Sequence, residues 1–421
     1  NQAISVYEKA IELNPEYYEA YNNLGAALGK NEQYEEAEKV LKQVIELQPE
    51  FVEALNNLGS ILTGMEKYEE AKDILNQSIE INSHNAEALS NLGDVYRKLN
   101  EHEKAIDHYK RAIKLNPTHV QAYNNLGLCY EKLSEHEQAI DHYKQAIKIK
   151  PNYYEALNNM GLALTELKKY SEAENILKQA IKISPKQVEA YSNLGNIYQI
   201  AEHFHEAIKY YKMALKINKK IAVIHQNLGY ILNSIGDNKN SIYHQKLAVL
   251  LEPNNKVYFQ SLLFSLWYDF DLNPKYIFEY HKQYDQKFGL PLKHKWKAFA
   301  QPKTDKERLK IGYVSPDFNQ HSMQNFLMPT LTHHNHQKFE IFAFAELENE
   351  DKVSQEYKPY VDHWIRTDGM SDDQLVEKIR EHGIDILVDL AGHTESSRIS
   401  VFAQKPTPIS LSWFIGYNYT T

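Results

Sequence analysis

A single cysteine in 421 residues leaves nothing to pair and no thiolate set for a metal, so a disulfide framework is excluded. That usage fits a reducing compartment, and a cytoplasmic protein is the expectation. The residue itself, Cys129, falls on an apolar helix face inside a repeat, where a thiol serves as a small hydrophobe. No apolar run reaches the roughly 20 residues that a bilayer span needs. Positive charge is not in excess either. Lys and Arg number 47 against 56 Asp and Glu, a formal net charge of −9. Nucleic acid and anionic membrane are therefore not expected as the main partners. The first residue is Asn in the middle of a repeat, so further repeat sequence is expected upstream.

The chain does contain internal repetition. Gly25, Gly59, Gly93, Gly127, Gly161, Gly195 and Gly229 recur every 34 residues without insertion. Pro15, Pro49, Pro117, Pro151, Pro185 and Pro253 share the register, as do Ala37, Ala71, Ala105, Ala139, Ala173 and Ala207. A 34-residue period of this kind is the tetratricopeptide signature, a helix-turn-helix unit stacked on its neighbours. Gly and Ala mark close helix approach, and proline, lacking an N–H, ends the second helix. One unit cannot bury its apolar face alone, so stacking supplies the core and a concave surface. The expected organisation is an α-solenoid over 1–255, a half repeat plus seven full ones. A helical adaptor and hinge follow at 256–307, rich in aromatics (Tyr258, Phe259, Phe264, Trp267, Tyr268, Phe270), with 301–307 as the exposed hinge.

Each repeat carries an asparagine two residues before its glycine: Asn23, Asn57, Asn91, Asn125, Asn159, Asn193 and Asn227. A primary amide both donates and accepts, so such a column suits an extended peptide backbone read without regard to side chains. The same amides would equally serve to bond one repeat to the next. Tyr17-Tyr18 and Tyr153-Tyr154, at helix entries, read as packing. His102, His108, His136 and His142 are expected on solvent-facing helix positions.

From Arg308 the pattern becomes alternating strand and helix. Leu309–Ser315 and Phe339–Ala345 read as strands. Ser371 with Gln374 forms a capping-box pair and Gly383 a helix stop. The apolar run 384–390 suits a buried parallel strand, a short helix is expected at about 395–404, and Ile409–Trp413 reads as another strand. The fold class expected for 308–421 is a doubly wound, Rossmann-like α/β lobe.

Ligands in such sheets sit beyond the carboxyl ends of the strands. Three loops take that place: 316–322 with Asp317 and His321, 391–396 with Gly392, His393 and Thr394, and 416–421 with Thr420 and Thr421. Two histidines beside a hydroxyl-rich turn suit proton transfer and anion contact. The dense His333, His334 and His336 cluster lacks a carboxylate or cysteine to complete a set, so no metal is expected there.

The segments GYVSPDFNQHS, THHNHQKFEIF, GIDILVDLAGHT and KPTPISLSW together resemble the start of the catalytic region of the O-GlcNAc transferase and SPINDLY family. SLLFSLWYDFDLNPKYIFEYHKQ is similar to that family's inter-domain stretch. The motifs SPDF…HS and LTHH lean towards the SPINDLY-like bacterial branch. The resemblance implies a two-lobed GT-B glycosyltransferase of which the first lobe is present, incomplete. It implies inverting transfer of a sugar from a nucleotide donor, UDP-GlcNAc or GDP-fucose, to Ser or Thr of proteins, without metal or other cofactor. On the same ground His321 and His393 are the implied catalytic residues, with His321 the more important because the animal branch fills the place of His393 with Tyr. Asp317, Gly392 and Thr394 are implied to contact donor or acceptor. The 421 residues alone are expected to lack activity, since the diphosphate donors belong to the second lobe. Where the family reads W-L-G-Y-P-G-T, this sequence has Trp413-Phe414-Ile415-Gly416-Tyr417-Asn418-Tyr419-Thr420. That altered loop is what supports the alternative of a non-catalytic tetratricopeptide scaffold.

Overall fold

The computed structural model describes residues 2–299, 308–394 and 396–413. The expected hinge at 301–307 and the third loop at 416–421 lie outside the described residues. The chain divides into two compact units, Asn1–Ile217 and Asn218–Thr421.

The first unit is a helix, Gln2–Leu13, followed by six helical hairpins, from Tyr18–Lys30 with Tyr34–Leu47 to Val188–Ile200 with Phe204–Ile217. The repeated alanines are fully buried. The repeated glycines make sockets for a large side chain sixteen residues on. A Cβ on Gly25 or Gly59 would stand 2.5 Å from Leu41 or Leu75, and one on Gly127 or Gly195 2.5 Å from Tyr143 or Tyr211. Each hairpin turns through one residue in the left-handed region: Glu32, Glu66, Asn100, Ser134, Lys168 and Glu202, with φ between 57° and 62°. Cys129 is buried, and burial pushes its thiol up to about 12.

The histidines expected on solvent-facing positions are instead packed. The His108 ring stacks on Tyr96 at 5.2 Å and the His142 ring on Tyr130 at 5.3 Å. Burial lowers the pKa of both, keeping them neutral. The Nδ1 atoms of His102 and His136 are closed to solvent as well. A flat imidazole covers a neighbouring tyrosine or helix end as an apolar body with a polar rim, which periodicity by itself does not reveal.

The second unit opens with a seventh hairpin, Ala222–Ser234 and Asn238–Leu251, whose turn carries Gly236 at φ 82°. Two adaptor helices follow, here α1 (Lys256–Leu266) and α2 (Pro274–Tyr284), then short π and 3-10 turns to Lys295. Phe259, Leu262, Leu263, Leu266, Ile277 and Tyr284 form their common core. Next comes a parallel sheet of β1 (Leu309–Ser315), β2 (Phe339–Ala345), β3 (His363–Arg366), β4 (Ile386–Asp389) and β5 (Ile409–Ser412), in the order β3-β2-β1-β4-β5. Register sets Leu309 beside Phe339 and Ile311 beside both Ile341 and Ile386.

Successive residues of a strand face opposite sides, so helices cover both faces. On one face Ile311, Tyr313, Ile341 and Val388 pack with Leu327 and Leu331 of α3 (Gln324–Thr332) and Tyr357 of α4 (Lys352–Tyr357). On the other, Val314, Phe342, Phe344 and Leu387 pack with Leu375, Val376 and Ile379 of α5 (Asp372–His382) and Val401 of α6 (Ile399–Ala403). The α5 capping box is made in both directions between Ser371 and Gln374, and Gly383 closes the helix at φ 63°. The adaptor is fastened to this layer. Lys295 pairs with Asp373 at 2.6 Å, Lys297 with Glu377 at 2.8 Å, and the Trp296 indole donates to the Ala403 carbonyl at 2.8 Å.

Candidate active site

The chain runs from β1 to its neighbour β2 on one side and later to β4 on the other, so the connections reverse direction between β1 and β4. At such a switch point the loops after the two central strands border the ligand crevice. The loop after β1 is held by Phe318, fully buried against Tyr357 and Trp364 with ring centroids 5.5 and 5.3 Å away. The Ser315 hydroxyl accepts from the Asp317 N–H at 2.9 Å. Asp317 and His321 are brought together, Oδ2 lying 3.7 Å from Nδ1. That same Nδ1 accepts from the Met323 N–H at 3.3 Å. Burial raises the Asp317 carboxyl above its ordinary value, and His321 pulls the other way. The His321 ring is exposed.

The loop after β4 is organised by Asp389, which is 3% exposed. Its carboxylate accepts from the Ala391 N–H at 3.0 Å, the Gly392 N–H at 3.0 Å and the Ser412 hydroxyl at 3.2 Å. Gly392 turns at φ 60°, and the Thr394 N–H and hydroxyl both donate to the Ala391 carbonyl. Ser397 donates through its hydroxyl to the Gly392 carbonyl. Arg398 then binds the loop to the ends of β2 and β3. It pairs with Glu346 at 3.0 Å and Asp372 at 2.9 Å, and donates to the Thr367 and Met370 carbonyls.

His393 does not join His321. Its ring lies 5.2 Å from that of His281 and edge-on to Tyr284 at 4.8 Å, both on α2. Both of its nitrogens are shut from solvent and have no partner among the described residues. Burial, with His281 adding to it, pushes its pKa down to about 3, and burial brings His281 to about 4. Beside Asp389 and Tyr284 opens a cavity of about 570 Å³, also lined by Trp296, Ser400 and Ser412. The histidines of the His333 cluster turn to three separate partners: the Pro329 carbonyl, the Tyr313 hydroxyl and Asp362.

Sequence reasoning did not single out Asp389, Arg398 or His281. Asp389 was visible as the one carboxylate near the end of an apolar strand run; the other two needed the fold.

The asparagine column bonds between repeats. Asn57 Nδ2 donates to Asn22 at 2.7 Å, Asn125 to Asp94 at 2.8 Å, Asn159 to Asn124 at 3.2 Å and Asn193 to Asn158 at 3.0 Å. Asn91 donates to the Asn56 carbonyl at 3.3 Å. Asn23 is exposed, and Asn227 is half-buried in the seventh hairpin.

Residues 283–421 match the glycosyl transferase family 41 profile, and tetratricopeptide repeat profiles match 6–39 and 52–85. Residues 73–256 also match the C-terminal domain of cilia and flagella-associated protein 70. The chain is 29% identical over 175 residues to a Hordeum vulgare protein named probable UDP-N-acetylglucosamine–peptide N-acetylglucosaminyltransferase SPINDLY, covering 41% of this chain and 18% of that one. A similarly named Arabidopsis thaliana protein, SEC, is 33% identical over 116 residues, 27% of this chain and 12% of its own. The chain thus spans less than a fifth of these relatives' length. A solved mutant of Thermobaculum terrenum O-GlcNAc transferase aligns with a TM-score of 0.52 at 25% identity, covering 62% of this chain and 50% of that one. The chain therefore carries tetratricopeptide repeats followed by a glycosyl transferase family 41 region, the combination of the O-GlcNAc transferase and SPINDLY family that its motifs resemble.

Proposed function

We propose that the protein transfers a sugar from a nucleotide-sugar to Ser or Thr hydroxyls of other proteins, with UDP-GlcNAc as donor and no metal or further cofactor. The observation that carries this is the family 41 match over the very segment whose β1 and β4 loops border the switch-point crevice. The relatives' names support UDP-GlcNAc as the donor. The repeats select the acceptor as an extended segment, and the reaction takes place in the cytoplasm. Among the described residues no helix is long and apolar enough to cross a membrane.

Transfer to a hydroxyl with inversion needs a proton acceptor and a donor group near the sugar. His321 suits either use, and its tautomer decides which. While Nδ1 accepts from Met323, the neutral ring carries its proton on Nε2 and offers a hydrogen bond to a substrate oxygen. In the other tautomer Nδ1 carries the proton and faces Asp317 Oδ2, 3.7 Å away, which leaves Nε2 free to take the acceptor's proton. Asp317 then stabilises the imidazolium that forms.

The test is sugar transfer by the natural-length protein to a panel of extended protein acceptors, read as the mass of the added sugar on Ser or Thr. Transfer from UDP-GlcNAc is expected, falling by about 100-fold or more in His321→Ala, in line with general acid–base contributions. Transfer from GDP-fucose instead would replace the donor assignment. No transfer from either, with the protein folded, would leave only the scaffold reading.

A further inference from the structure

Helix α2 presents His281 and Tyr284, three residues apart and so on one face, to the loop after β4. His281 is 1% exposed and accepts at Nε2 from the Trp267 indole at 3.3 Å. Tyr284 is packed in turn against Phe259 and Phe288. The slot therefore stands on a rigid aromatic base. Into it goes the ring of His393, flanked in sequence by Gly392, with its left-handed backbone, and by Thr394, bonded back on the loop. A general base must reach a substrate proton with a nitrogen. Neither nitrogen of His393 reaches solvent or, among the described residues, a protein partner.

We propose that His393 is a positioning residue, seated by its ring in a slot formed by His281 and Tyr284, through which the adaptor helix sets the conformation of the loop after β4. The low pKa of each imidazole agrees with two uncharged rings in contact. The catalytic consequence rests on the glycosyltransferase reading; the slot itself does not. A misplacement of about 1 Å in such a loop costs on the order of 100-fold in rate, so loosening the slot is felt at the site.

Two measurements test this. Diethylpyrocarbonate labelling of the chain, followed by mass spectrometry, should modify His321 quickly and His393 slowly. His281→Ala, or Tyr284→Leu should the first variant unfold, opens the slot and speeds labelling of His393 several-fold, whereas His281→Phe keeps it protected. His393 labelling as fast as His321 in the unaltered chain overturns the proposal. In the natural-length protein, His281→Ala should lower kcat roughly tenfold, within the range set by misplacement, with donor KM little changed. His281→Phe should restore most of the loss. His393→Phe should retain more turnover than His393→Ala. Equal loss in both means that a His393 nitrogen does chemistry, and the proposal fails. Should the unaltered protein transfer no sugar, the enzyme reading falls, and the labelling rates still decide the slot.

Discussion

Burial raises the Asp389 carboxyl above its ordinary range although two backbone N–H groups and the Ser412 hydroxyl donate to it. A carboxyl whose pKa is higher folded than unfolded binds more protons in the fold. Its contribution is therefore complete below the unfolded value of about 3.9 and is lost as pH rises through the folded value. Asp389→Asn removes the charge and keeps an acceptor for the N–H groups. Compared with the unaltered chain, the Asn variant should be most disadvantaged at low pH and gain in relative stability as pH rises towards neutrality. Denaturant melts followed by tryptophan fluorescence check this cleanly. All four tryptophans, Trp267, Trp296, Trp364 and Trp413, lie beyond residue 255, so the signal comes from the adaptor and sheet. Relative stability that falls over the same window would mean the N–H donors outweigh burial. His281, His393 and Asp389 share one lesson about reading residues: each is polar in type and used where water is excluded.

At the scale of elements, the asparagine column settles where its amides go without settling whether a peptide meets them. Each Nδ2 from Asn57 to Asn193 is engaged with the preceding repeat. An amide oriented by that bond has its other groups preset, which suits peptide binding and array cohesion alike. Replacing Asn125, Asn159 and Asn193 together with Ala removes three inter-repeat bonds at about 0.5–1.5 kcal/mol each. The thermal midpoint of the repeats, followed by circular dichroism, should therefore fall while helix content at low temperature survives, Ala being the better helix former. Affinity for extended protein acceptors should fall as well, across side-chain types. A lowered midpoint with unchanged affinity would assign the column to cohesion alone.

For the molecule as a whole, the sequence was most legible where a pattern repeats or a strand is largely apolar. The 34-residue glycine register falls at the same place in each described hairpin, because each repeats the same kind of socket. The strands β1 and β2 were read to the residue, being largely apolar, with Lys310 and Glu340 near their less buried starts. β4 is shorter than the run that announced it, Ile386–Asp389 against 384–390, because Asp385 already bonds to the Lys310 N–H and Asp389 turns the chain. β3, the edge strand HWIR, escaped notice: its four residues are half-buried or exposed and carry no apolar run. At the site, the loop that carries Asp317 and His321 was legible as the segment after a strand; that the two side chains meet is read from the fold. The burial of His393 was not legible, since its slot comes from α2, more than a hundred residues earlier in the chain.

The hairpin turns described above have a use in engineering. Six of them place an ordinary side chain in the left-handed region, and the seventh places Gly236 there. An L-residue other than Gly, Asn or Asp costs roughly 1–2 kcal/mol in that conformation. The array thus carries its own reference position: Glu66→Gly and Gly236→Glu measure one energy with opposite signs. Glycine at Glu32, Glu66, Ser134, Lys168 and Glu202 should raise the thermal midpoint stepwise, each step small and nearly additive because repeats sense only their neighbours. A midpoint that stays flat through the series would show that the unfolded chain's gain in freedom cancels the relief. A rising one would make these turns a dial for tuning the durability of the repeats without touching a contact.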